Sequence, residues 1–100
     1  MKIKLLMQWD IRSGRDSQYL EFIVRDFVPV VAQMGLQIVD AWYTLHGDVP
    51  QILVAGVAPN EALLRKILVS QEWEQLLKSL SEHVTNFEKK IIPDRDRFQL

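Results

Sequence analysis

The spacing of apolar residues switches repeatedly along this chain between every second residue and every third or fourth. That order of periods limits the fold more than any other feature. From Lys2 to Asp10 the residues alternate, with Ile3, Leu5, Met7 and Trp9 pointing one way and Lys4, Leu6, Gln8 and Asp10 the other. A strand with one buried face has this pattern. The turn residues Arg12-Ser13-Gly14-Arg15-Asp16-Ser17 follow, and the period then lengthens. Leu20, Ile23, Val24, Phe27, Val31 and Met34 form one helical stripe, closed by Gly35 as the left-handed residue past the helix end. Pro29 lies inside that helix and predicts a kink or irregular turn near Arg25 and Asp26, where a hydrogen bond is missing.

Strand spacing returns over Leu36–His46, which carries Ile38, Val39, Trp42, Tyr43 and Thr44. Gly47 to Pro50 is a short connector, and Gln51–Val57 is the returning strand of a hairpin. Ala58-Pro59-Asn60 supplies a strand stop and a helix cap, and Ser70 supplies a second cap. The spacing therefore predicts a short helix over 61–68 and a long one over 71–90, the latter presenting Trp73, Leu76, Leu77, Leu80, Val84, Phe87 and Ile91. Pro93 ends it, and Arg97–Leu100 is expected to be a short last strand. The predicted order is βαββαβ over a single domain, 1–100. This is the ferredoxin-like α+β arrangement, a four-stranded antiparallel sheet with its helices on one face.

The other sheet face is then the one of interest. Alternation assigns Val39, Ala41, Tyr43 and Leu45 to the helix side of the second strand. It leaves Lys4, Leu6, Gln8, Asp10, Ile38, Asp40, Trp42, Thr44 and His46 on the open side, with either Ile52 and Val54 or Leu53 and Ala55, and with Arg97 and Gln99. Too much of this face is apolar for a lone domain to leave in water. Two copies packed through these faces would cover it around a partly polar cavity.

The chain resembles the dimeric α/β-barrel superfamily, which includes stress-responsive barrels, antibiotic-biosynthesis monooxygenase-like domains and NIPSNAP-like proteins. The resemblance spans nearly the whole chain. It rests on the hairpin Leu36–Val57, on Ser70-Gln71-Glu72-Trp73, and on Asn86-Phe87-Glu88-Lys89-Lys90-Ile91-Ile92 with the ending Arg97-Phe98-Gln99-Leu100. It implies a homodimer and a compact aromatic or polyketide-like ligand. Some such barrels degrade haem with an axial histidine one turn after the aromatic residue of the Ser-x-x-aromatic element; that place is Leu77 here. Others are cofactor-independent monooxygenases with an asparagine on the first strand, where this chain has Met7 and Gln8.

The candidate site follows from the open face. Asp40 and Trp42 share a side of one strand, so Asp40 reads as a proton acceptor or hydrogen-bond anchor and Trp42 as a stacking wall. The plainer reading is a structural ion pair, with Lys4 or Arg97, beside an interface aromatic. His46, at the rim, is a second candidate base or an exposed turn residue. Lys4, Gln8 and Arg97 complete the expected ligand-binding set. His83 reads as a helix-border histidine, and Arg12 to Arg15 as a turn that could also hold an anion.

Composition removes other classes of function. Twelve basic and thirteen acidic residues, divided evenly between the halves, leave no basic surface for nucleic acid or anionic lipid. Without cysteine there is no disulfide, thiolate nucleophile or iron–sulfur ligand, and two histidines do not make a multi-histidine metal site. No cofactor is expected. Gln8 and Asp10 interrupt the early apolar run, so neither signal peptide nor membrane span is read, and a soluble cytoplasmic protein is expected. Two readings of function remain: a small-molecule-binding barrel, with or without enzyme activity, and a non-enzymatic stress-response or interaction protein whose lumen is filled by side chains.

Overall fold

The computed structural model describes residues 1–94. Its elements run β1 (Ile3–Ile11), α1 (Asp16–Phe22), a π-helical turn (Ile23–Phe27), α2 (Val28–Met34), β2 (Gln37–His46), β3 (Val49–Ala58), α3 (Glu61–Leu68), α4 (Gln71–Leu80) and β4 (Val84–Pro93). The strands make one antiparallel sheet in the order β2-β3-β1-β4. The ferredoxin-like α+β fold is therefore present, with β1 and β3 at its centre.

Burial along β1 alternates without a break: Ile3, Leu5, Met7, Trp9 and Ile11 are buried, and the residues between them are half-exposed. Trp9 is the hub of the core. Its ring stacks on Phe87 at 5.9 Å and meets the edges of Phe27 and Tyr19 at 5.7 and 6.5 Å. Its indole N–H donates to the Tyr19 hydroxyl at 3.0 Å, so the one polar atom of this ring is satisfied. Burial pushes the Tyr19 phenol up to about 12, against the smaller opposing effect of that hydrogen bond.

The π-helical turn sits where Pro29 requires an irregularity. Proline offers no N–H and its ring crowds the carbonyl four residues back, so the helix widens over one turn instead of breaking. Gly35 ends α2 with φ at 106°, and both expected caps form: Asn60 Oδ1 accepts from Leu63 N at 2.8 Å and Ser70 Oγ from Trp73 N at 3.2 Å.

One expected element is wrong. The helix expected over 71–90 stops at Leu80, and Val84–Pro93 is the fourth strand, so that role does not fall to Arg97–Leu100, which lie outside the described residues. Arg12 ends the helix. Its guanidinium donates to the Ser81 carbonyl at 3.1 and 3.2 Å, and its backbone N–H bonds to His83 O at 2.8 Å. A bulge then disguises the strand. Gln8 pairs with Glu88 and Asp10 with Thr85, so two residues of β4, Asn86 and Phe87, lie opposite Trp9 alone. Asn86 takes the positive φ of 57°. The extra residue puts Val84 and Phe87, three apart, on the same side, as a helix would.

A second bulge alters β2. Ile38 pairs with Gly56 and Asp40 with Ala55, so Val39 is the extra residue. Ile38, expected on the open side, is thereby turned toward the core, which it packs against. Val39, expected on the helix side, is exposed. Gly56 has no room for a side chain, since an added Cβ would lie 2.9 Å from Leu36 Cγ.

Candidate functional site

The register arranges the open face in rows across the sheet. Trp42 pairs with Leu53, Leu53 with Gln8, and Gln8 with Glu88. The next row runs Asp40, Ala55, Leu6, Lys90, and beyond it Val57, Lys4 and Ile92 follow. On the other side lie Thr44, Gln51, Asp10 and Thr85. Of the two pairs open to choice on β3, Leu53 and Ala55 join this face. Its middle is apolar, from Leu6, Leu53 and Ala55, and its polar groups stand around that middle, Gln8 and Lys4 on β1 and Asp40, Glu88 and Lys90 on the two edge strands. A groove of about 340 Å³ crosses it beside Leu6, Gln8, Leu53, Glu88 and Lys90.

Trp42 is 47% exposed, which gives it a free ring face for stacking. Gln8 is half-buried at the groove. Asp40 is exposed, and its Oδ1 accepts the backbone N–H of Ala41 at 3.0 Å, so the carboxylate is held against the bulge of its own strand. Lys4 places its ammonium 3.4 Å from Asp94 Oδ1, in a half-buried pair. Asp10 is fixed by the Asn86 amide at 2.8 Å and approached by that of Gln51 at 3.4 Å. Arg97 and the side chain of His46 lie outside the described residues.

Neighbouring strands are about 4.8 Å apart, so Trp42 stands roughly 10 Å from Gln8 and roughly 14 Å from Glu88. Asp40 and Lys90 occupy opposite edges of one row at that longer separation, too far to pair within one chain. Trp42 and Gln8 bracket Leu53, whereas Asp40 is a row away from Gln8. Two groups at the groove were missed from sequence: Glu88 and Lys90. Reading 84–90 as helix hid them, and only the alternation of Glu88, Lys90 and Ile92 would have marked a strand.

His83 is not on a helix but in the turn before β4, its ring 5.3 Å from Phe22 and its Nδ1 buried with no hydrogen-bond partner among the described residues. The turn Arg12–Asp16 borders a wider polar cleft of about 580 Å³ with Asp10, Asp48 and Thr85, at the end of the sheet and away from the apolar rows. Arg12 is spent on the end of α4, and Asp10, Asp16 and Asp48 outnumber Arg15 in the cleft, so it does not favour an anion. No described helix is long and apolar enough to cross a membrane.

No family model and no curated protein matches this chain. Solved structures do. A NIPSNAP family protein from Agrobacterium tumefaciens is 18% identical, with a TM-score of 0.65, over 95% of this chain and 87% of that one. An uncharacterised NIPSNAP domain protein from Burkholderia xenovorans is 10% identical, with a TM-score of 0.70, over 99% of both chains. SnoaB, a cofactor-independent oxygenase from Streptomyces nogalater, is 12% identical, with a TM-score of 0.65, over 96% and 95%. The chain therefore shares the fold of these NIPSNAP and oxygenase structures over nearly its whole length.

Proposed function

We propose that this protein binds a compact organic ligand in a chamber formed when two copies close their open sheet faces on one another. The observation that carries the reading is the row pattern: an apolar floor of Leu6, Leu53 and Ala55, flanked by an exposed Trp42 ring and by Gln8, Glu88 and Lys90. A two-fold axis parallel to the strands lays β2 of one copy over β4 of the other. It sets Asp40 against Lys90 of the second copy, pairing charges that one chain keeps at opposite edges. Trp42 stacks on a flat ligand, Gln8 donates or accepts a hydrogen bond, and Asp40, once its edge is covered, is the carboxylate available to a ligand proton. The fold shared with a cofactor-independent oxygenase supports chemistry of that kind on such a ligand.

One observation favours a chamber filled by side chains and a non-enzymatic role. Asp40 and Lys4 already have partners of their own in Ala41 N and Asp94.

Two measurements separate these readings. Sedimentation is expected to give twice 11.7 kDa at micromolar concentration, and Leu53→Lys to give the monomer; a wild-type monomer sinks the proposal. A thermal-shift screen of flat aromatic and polyketide-like compounds is expected to find ligands that stabilise the wild type by several degrees. Trp42→Ala and Gln8→Ala should lose that shift. If ligands are found and act equally on all three proteins, the chamber is not the site; if none is found with the dimer intact, the filled barrel stands.

A further inference from the structure

The two edges of the sheet are protected to very different degrees. On β4 the exposed residues Glu88, Lys89 and Lys90, the bulge at Asn86 and the closing Pro93 all discourage another strand from pairing. On β2 the only residue charged at neutral pH from Gln37 to Leu45 is Asp40. The first half of that strand is blunted, since the bulge at Val39 bends it and the Asp40 carboxylate occupies the Ala41 N–H. The second half, residues 42–46, continues in regular register with β3 and has no bulge, proline or carboxylate. On its helix side Tyr43 and Leu45 are 59% and 58% exposed.

We infer that residues 42–46 of β2 pair with the same residues of a second copy, antiparallel, about a two-fold axis through Thr44. This contact is separate from the face-to-face pairing proposed above and uses the backbone edge instead of the open face. The choice of occupant rests on self-complementarity. An axis normal to the sheet opposes residues of the same side, so it must pass through a residue and not between two. Centring on Thr44 sets Tyr43 against Leu45 of the second copy, and Leu45 against its Tyr43, covering the exposed apolar groups. It places Thr44 against Thr44, a favourable cross-strand pair, and leaves Asp40 beyond the ladder, so that no like charges meet. A centre nearer the start of the strand would need the Ala41 N–H that Asp40 already holds. Five rungs bury well under the ~1,200 Å² of a stable interface, so the contact is weak and depends on concentration.

The test is amide hydrogen exchange on the full chain at low micromolar and at millimolar concentration, with sedimentation alongside. Protection of the outward amides within 42–46 is expected to rise by about an order of magnitude with concentration, while β4 edge amides do not change. Tyr43→Lys/Leu45→Lys, at exposed positions, should keep the fold by circular dichroism and abolish the rise. Leu53→Lys, on the open face, should disrupt the face-to-face dimer and leave the rise in place, so the two contacts fail independently. Exchange within 42–46 that is independent of concentration overturns the inference, whether fast or slow. So does a rise that survives the double lysine variant, which would point to pairing elsewhere on the chain.

Discussion

The two faces of this sheet are made from the same strands by the same alternation, yet they differ in kind. On the helix side, Leu5, Met7 and Trp9 are fully buried and the aromatic rings of Trp9, Tyr19, Phe27 and Phe87 lock together around one internal hydrogen bond. On the open side, Leu6, Leu53 and Trp42 are similarly apolar but remain half-covered or exposed, with Gln8 beside them on β1 and Asp40, Glu88 and Lys90 on the edge strands. Burial on the first face stabilises the single chain. The second face contributes little to it, and its residues are free to serve assembly and recognition.

Breaking the hub of the helix side should have the largest effect. Trp9→Ala removes three ring contacts and strands the Tyr19 hydroxyl; a loss of about 3–5 kcal/mol is expected in urea unfolding at neutral pH. A loss below about 1 kcal/mol would show that the core does not depend on this ring.

The same hub gives the core a pH dependence. The folded-state pKa of Tyr19 is raised above the unfolded value of 10.0, so the neutral phenol is the form the fold retains. Its contribution is fully present below pH 10 and is lost as pH rises toward 12, to the extent of about 2–3 kcal/mol. Tyr19→Phe should flatten that part of the stability–pH curve, measured by urea unfolding between pH 9 and pH 12.

A smaller effect is expected at the helix ends that hold the covered face in place. Ser70→Ala removes the acceptor for Trp73 N and should cost about 1 kcal/mol, read from the shift of the thermal midpoint. Least of all should come from the open face. Trp42→Ala, set beside Trp9→Ala, should change the unfolding free energy by no more than about 0.5 kcal/mol at concentrations where the chain is monomeric. The contrast between two tryptophans of one sheet is the sharpest form of the comparison. A large loss at Trp42 would mean that the open face also holds the single chain together.

Much of this was legible in the residues. The strict alternation of β1 assigned its two sides correctly, because both central-strand faces differ so strongly in polarity. Pro29, Gly35, Asn60 and Ser70 marked an irregular helix, a helix end and two helix starts, each through a local backbone preference that tertiary contacts did not need to override. The fourth strand was not legible. Leu80, Val84, Phe87 and Ile91 fall at helical spacing. The step from Val84 to Phe87 comes from a bulge, and the step of four from Phe87 to Ile91 fits either period. Lys89 on the helix side hid the alternation further, since an edge strand lets a long charged side chain reach water from the buried side. With that strand went Glu88 and Lys90 of the candidate site. The exchange of Ile38 and Val39 was lost in the same way, to a second bulge that no residue type announces.

The sequence by itself determined the elements and their order as far as the start of α4, the inward side of β1 and the presence of a second apolar face, because these follow from periodicity and from local backbone preferences. Tertiary structure alone decided where α4 gives way to β4, which residues share a row, and which groups are already taken. Those outcomes depend on the Arg12 guanidinium reaching the Ser81 carbonyl across 69 positions of chain, and on two bulges that reset the register. Contacts of that kind join residues distant in sequence, and no local pattern of polarity encodes them.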